Sequence, residues 1–71
     1  MAGNPKVLFG KHLVALREAK GWSQEKLALE SEISRSYIGE VERGKRNIAL
    51  LKICRLAEAL NIPLAKLMTF E

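Results

Sequence analysis

Aspartate is absent from this chain, and histidine and cysteine occur once each, as His12 and Cys54. Without a second thiol there is no internal disulfide, and one cysteine with one histidine cannot complete a four-ligand zinc site. The same scarcity removes the parts of a catalytic set. No aspartate, a single histidine and no glycine-rich phosphate loop leave nothing to pair as nucleophile and base, or to hold a metal. Enzyme activity and a bound cofactor or metal are therefore not expected. No apolar run reaches the roughly 18 residues of a membrane span. The stretch Met1-Ala-Gly-Asn-Pro-Lys6 also lacks the apolar core of a secretion signal, so a reducing, cytoplasmic setting without a membrane is expected.

Aromatic residues make up only 6% of the chain, whereas hydrophobic residues reach 48% and are dominated by Leu, Ile and Ala. That balance favours an all-α fold. At 71 residues there is room for one core and one domain, 1–71, with oligomerisation as a supplement to its stability. The net charge of +4 attracts polyanions, and its distribution is uneven. Arg43, Lys45 and Arg46 fall within four positions, whereas Glu25, Glu30 and Glu32 lie on the preceding segment. A solvated basic loop would have the same composition as a binding site.

Five helices follow from periodicity and end signals. Phe9, Leu13 and Leu16 recur at helical spacing between Pro5 and Gly21, giving a helix over about 6–19. Ser23 can cap the amide of Lys26 and begin a second helix over 24–31, although the capping box is incomplete because position 26 is Lys. Ser34 plays the same part for a third helix over 35–43, stopped by Gly44. On its wheel Tyr37, Ile38 and Val41 share one side, and Arg35, Ser36, Gly39, Glu40 and Arg43 share the other. Ile53, Leu56, Ala57 and Leu60 mark a fourth helix over 49–60, ended by Asn61. Pro63 in a first turn, followed by Leu64, Leu67 and Met68, marks a fifth over 63–69.

Two short helices joined by a tight turn and braced by three others make a helix-turn-helix, whose second helix enters the major groove of DNA. The segments Gly21-Trp-Ser-Gln-Glu-Lys-Leu-Ala28, Ser34-Arg-Ser-Tyr-Ile38 and Val41-Glu-Arg-Gly44 resemble the phage-repressor and Cro-like helix-turn-helix family, over about Phe9 to Leu67. The resemblance implies a compact five-helix, lambda-repressor-like DNA-binding domain. Within that family, Tyr37-Ile38, Val41-Glu-Arg43 and Arg46-Asn47 are similar to the controller proteins of restriction-modification systems, which are dimeric transcription regulators. One departure is Glu32, where the family usually carries glycine because the turn needs a left-handed backbone; Glu there costs roughly 1 kcal/mol.

The resemblance implies base reading by Arg35 and Ser36 at the start of the third helix. A guanidinium there can donate twice to guanine O6 and N7, though a solvated arginine is the plain alternative. Glu40, one turn on, can accept from cytosine N4 but is repelled by phosphates. Arg46 is a further candidate at a base or minor-groove edge. Ser23 and Gln24, at the N-terminus of the second helix, match positions the family uses on phosphates, where capping alone is the alternative. Tyr37, Arg43, Lys45 and Asn47 complete the phosphate-contact candidates. Arg17 and Glu42 match a structural ion pair of the family. Trp22 is expected at the corner between the first two helices, His12 on the surface, and Cys54 as a small core or interface residue.

Two copies on a pseudo-palindrome would set their reading helices about 34 Å apart, one turn of DNA. Ile62, Leu64, Leu67, Met68 and Phe70 exceed what so small a core needs and are the candidate dimer patch, with core packing as the alternative. The expected partners are thus double-stranded DNA, a second copy and, where an operator recruits it, RNA polymerase. The reading from a different class is a protein-interaction module such as a toxin-binding antitoxin.

Overall fold

The structure is a computed structural model, and it describes residues 3–70. Met1, Ala2 and Glu71, the ends of the expected 1–71 domain, lie outside the described residues. Five helices follow one another: α1 (Pro5–Ala19), α2 (Gln24–Ser31), α3 (Arg35–Glu42), α4 (Leu50–Leu60) and α5 (Leu64–Met68). Local chemistry sets where each begins. Asn4 caps α1, its side chain accepting from the Lys6 amide at 2.8 Å, with Pro5 in the first turn. Ser23 accepts from the Lys26 amide at 3.0 Å to start α2, and Ser34 from the Tyr37 amide at 3.2 Å to start α3.

The ends differ from the sequence reading by a residue in places. Arg43 closes α3 from outside, at φ −85° and ψ 0°, before Gly44 turns the chain at φ +74°. Ala49 and Pro63 each hold an extended ψ, near 148° and 145°, so α4 and α5 begin after them. Pro63 therefore stands at the cap, not in the first turn. Its carbonyl accepts from the amides of Lys66 and Leu67. Glu32 ends α2 at φ 59°, the left-handed conformation that glycine would hold without a side-chain clash.

The apolar faces of all five helices meet in one core of Phe9, Leu13, Leu27, Ile33, Ile38, Val41, Ile53, Leu56, Ala57, Leu60 and Leu67. Burying each of the larger side chains contributes about 1.5–3 kcal/mol, which is why so short a chain can fold around them. His12 lies at the surface as expected, half-buried, and its Nε2 donates to the Lys66 carbonyl at 2.9 Å, tying α1 to the end of α5 beside the Phe70 ring. One expectation changes. Gly39 is buried, not on the free side of α3, because the side chains of Gln24 and Arg43 cover it. Among the described residues no helix is long and apolar enough to cross a membrane, and no group of three metal-ligating side chains assembles.

At Gly10, α1 lies directly against the backbone at the end of α3. A Cβ added at Gly10 would stand 2.5 Å from the Val41 carbonyl oxygen and 2.7 Å from that of Glu42. Alanine normally stabilises a helix interior over glycine by about 1 kcal/mol. Here the sign is expected to reverse. Gly10→Ala should destabilise by about 1–3 kcal/mol, as overpacking does, because backbone cannot yield as a side chain can. Urea titration of both proteins measures it, and a Gly10→Ala chain as stable as the parent would contradict this packing.

Candidate nucleic-acid interface

The floor of the site is a hydrogen-bonded network that sequence reading saw only in part. Glu42, at the last position of α3, takes Arg17 Nε on Oε2 at 2.7 Å and Arg17 Nη2 on Oε1 at 3.1 Å. Gln24 Nε2 donates to the same Oε1 at 2.7 Å, and Arg17 Nη1 donates to the Trp22 carbonyl at 2.7 Å. One carboxylate thus gathers α1, the turn before α2, and α2 itself onto the end of α3. The side chains of Arg17 and Glu42 are only 12% and 4% exposed, so the fork-shaped pairing is shielded from water. The Arg17 pKa is raised above the ordinary arginine value, first by its hydrogen bond to Glu42, against a smaller opposing effect of burial. A raised cationic pKa contributes stability that is fully present below the unfolded value and is lost only as pH climbs through the folded one. The arginine side of the pair is therefore closed throughout neutral pH.

Upon this floor α3 is fixed by Ile38 and Val41, both buried, while Arg35 and Ser36 in its first turn are exposed. Arg43, Lys45 and Asn47 are exposed along the segment that follows, and Arg35, Arg43 and Lys45 make no ion pair among the described residues. At the other end of the motif Ser23 is exposed, its hydroxyl engaged in the cap of α2. Gln24 is half-buried with its amide nitrogen committed to Glu42, which leaves its backbone N–H as the free donor.

Glu40 and Arg46 are brought together, which their separate readings did not foresee. Arg46 Nε and Nη2 reach Glu40 Oε1 at 2.8 and 2.7 Å, and the guanidinium carbon lies 4.6 Å from the centre of the Tyr37 ring. Lys52 Nζ sits 5.1 Å from the same ring, and the Tyr37 hydroxyl accepts from the Ala49 amide at 3.3 Å. Tyr37 is therefore the post around which the 43–49 segment wraps. Nothing local in the sequence signals Lys52 as a neighbour of Tyr37; only the fold-back of that segment does. Trp22 packs at the α1–α2 corner, with Lys20 and Lys26 ammonium groups 4.9 and 5.6 Å from its ring.

The candidate dimer patch divides. Ile62 and Leu64 line an open groove of about 550 Å³ with Cys54, Ala57, Glu58, Asn61 and Pro63, and Met68 is exposed at 44%. Leu67, by contrast, is fully buried in the core, and Phe70 packs edge-on to Phe9 with centroids 5.4 Å apart. Leu67 leaves the patch, because its surface is wholly covered by the helices of its own chain, whereas Phe70, like Ile62, packs on the core with part of its surface open. Leu51, 74% exposed on α4, is an apolar residue that the sequence reading left out of the patch.

Against known proteins, the family model described as helix-turn-helix matches residues 13–67. Control protein C.BamHI of Bacillus amyloliquefaciens is 39% identical over 71 residues, covering 99% of this chain and 88% of that protein. The crystal structure of the restriction-modification controller protein C.AhdI of Aeromonas hydrophila superposes with a TM-score of 0.85 at 53% identity, covering 87% of this chain and 94% of that one. A hypothetical transcription factor of Neisseria superposes with a TM-score of 0.87 at 34% identity, over 94% of this chain and 77% of that one.

The network predicts its own energetics. Glu42→Gln leaves the part-buried Arg17 guanidinium without its counter-charge, and should cost about 1–3 kcal/mol of stability. Replacing both partners together, Arg17→Met with Glu42→Leu, should cost less than the sum of the two single changes, because no charge is stranded. Denaturant titration of the three variants checks this, and strict additivity would show that the two side chains do not act as a pair.

Proposed function

The chain belongs to the helix-turn-helix family of transcriptional regulators, and on that premise we propose that it binds a specific pseudo-palindromic operator in double-stranded DNA as a dimer, controlling restriction-modification genes. The observation that carries the reading is the division of α3. Its inner side is locked by Ile38, Val41 and Glu42, while Arg35 and Ser36 stand free at the end that a recognition helix inserts. Arg35 reads a guanine through two parallel hydrogen bonds, and Ser36 adds a contact that discriminates less. Arg43, Lys45 and Asn47 hold the phosphates on one side of the helix. The free amides at the start of α2, behind Ser23 and Gln24, hold those on the other. The Tyr37 hydroxyl, already accepting from Ala49, keeps its own proton to donate to a phosphate. Arg46 reaches toward a base edge from beside Tyr37.

The dimer forms through exposed apolar side chains of α4 and α5, Leu51, Leu64 and Met68, with the half-buried Ile62 and Phe70 beside them and the groove lined by Ile62 and Leu64. Two half-sites about one helical turn apart follow from that symmetry. Whether the bound dimer blocks RNA polymerase or recruits it is decided by where the operator lies.

Selection from random duplex DNA is the direct test. An enriched inverted repeat is expected; no enriched motif, together with one stoichiometric protein partner on pull-down, would replace this reading by a protein-docking one. Arg35→Ala should then lose about 1–3 kcal/mol on the selected site and relax the preference at one base pair, whereas Lys45→Ala should weaken all sequences alike and flatten the salt dependence by about one unit. Equal losses for both variants on selected and random DNA would overturn these two roles. Sedimentation at micromolar concentration is expected to find a dimer that Leu64→Lys converts to a folded monomer; a parent chain that stays monomeric there would remove the dimer.

A further inference from the structure

Arg46 is the one member of the basic segment already neutralised. Of Arg35, Arg43, Lys45 and Arg46, only Arg46 is ion-paired among the described residues, with two of its nitrogens within 2.8 Å of Glu40 Oε1. The pairing is not an accident of a mobile loop. The Lys45 amide donates to the Glu40 carbonyl at 2.9 Å, so backbone closure delivers the next residue to the carboxylate of the same glutamate. The guanidinium then lies on the Tyr37 face at 4.6 Å, and Tyr37 is itself fastened to Ala49. Two contacts, to Glu40 and to the Tyr37 ring, thus hold one cation against α3, and two further hydrogen bonds hold those partners in place beside the surface proposed to face DNA.

We propose that Glu40 is a positioning residue that restrains Arg46 against α3 and so limits the protein's hold on DNA of unrelated sequence. The inference rests on the DNA-binding reading above and concerns the regulation of that same surface. Affinity for random DNA is set by the number of phosphates that cations neutralise, each releasing counterions and steepening the salt dependence by about 0.9. A guanidinium held by a carboxylate contributes less to that count. Reaching a base edge on the selected site also requires Arg46 to leave or share Glu40, so the restraint lowers affinity there too, and a scrambled duplex reads its phosphate part alone.

Glu40→Gln keeps the shape of a half-exposed side chain and removes the charge that holds Arg46. Binding to a scrambled duplex is measured across a series of salt concentrations for the parent chain, Glu40→Gln, Arg46→Ala and the double variant. Glu40→Gln is expected to bind scrambled DNA up to about fivefold more tightly, the span of an exposed ion pair, with a salt slope steeper by about one unit. That steepening should vanish when Arg46 is already alanine. An unchanged slope for Glu40→Gln overturns the proposal. So does a change that persists in the Arg46→Ala background, which would mean that Glu40 repels phosphates directly. A parent chain that binds no duplex at all would instead sink the DNA-binding reading, whereas normal binding with coincident slopes sinks only the role given to Glu40.

Discussion

The carboxylate of Glu42 is the point on which the site depends. It lies at the junction of α1, α2 and α3, almost wholly out of water, and accepts three hydrogen bonds from two side chains. A buried ionised group is costly unless its lone pairs are used, and here Arg17 and Gln24 use them while Arg17 also satisfies the Trp22 carbonyl. The same contacts that offset the cost of burial fix the angle at which α3 leaves the body. Apolar packing alone would tolerate a small rotation of that helix, because Ile38 and Val41 have no directional preference. The ion pair does have one, and a surface that must present two or three side chains in register needs it.

Much of this was legible along the chain, and the reasons are local. Ser23 and Ser34 announce helix starts because a hydroxyl oxygen three residues before an amide can cap it. Ile53, Leu56, Ala57 and Leu60 announce α4 because one face must be apolar. The exposed left-handed Glu32 could be placed from the turn that the motif requires. What stayed hidden depends on non-local geometry. Gln24 reads as a surface residue until Glu42 is known to lie beneath it. Gly39 falls on the free side of a helical wheel, which cannot know that two long side chains fold over it. The partner of His12 stays hidden for the same reason, since that carbonyl is 54 positions away.

The apolar surplus near the C-terminus illustrates the limit of composition as evidence. Ile62, Leu64, Leu67, Met68 and Phe70 form one cluster in the sequence, yet Leu67 closes the core, Ile62 and Phe70 pack half-buried against it, and only Leu64 and Met68 stand outward. Periodicity in a five-residue helix is too short to separate those fates. Burial in three dimensions separates them at once, and also brings forward Leu51, whose distance along the chain had hidden it.

Gly10 bears on how such a protein can change what it recognises. With the carbonyls of Val41 and Glu42 resting against a residue that has no side chain, α1 and α3 are in backbone contact and share their degrees of freedom. Tilting or sliding α3 would have to carry α1 with it. Divergence among proteins built this way must therefore run through exchange of exposed side chains on an unchanging frame, or through the pliancy of the DNA itself. A pair of such chains would behave as two rigid calipers, and the duplex would be the member that bends.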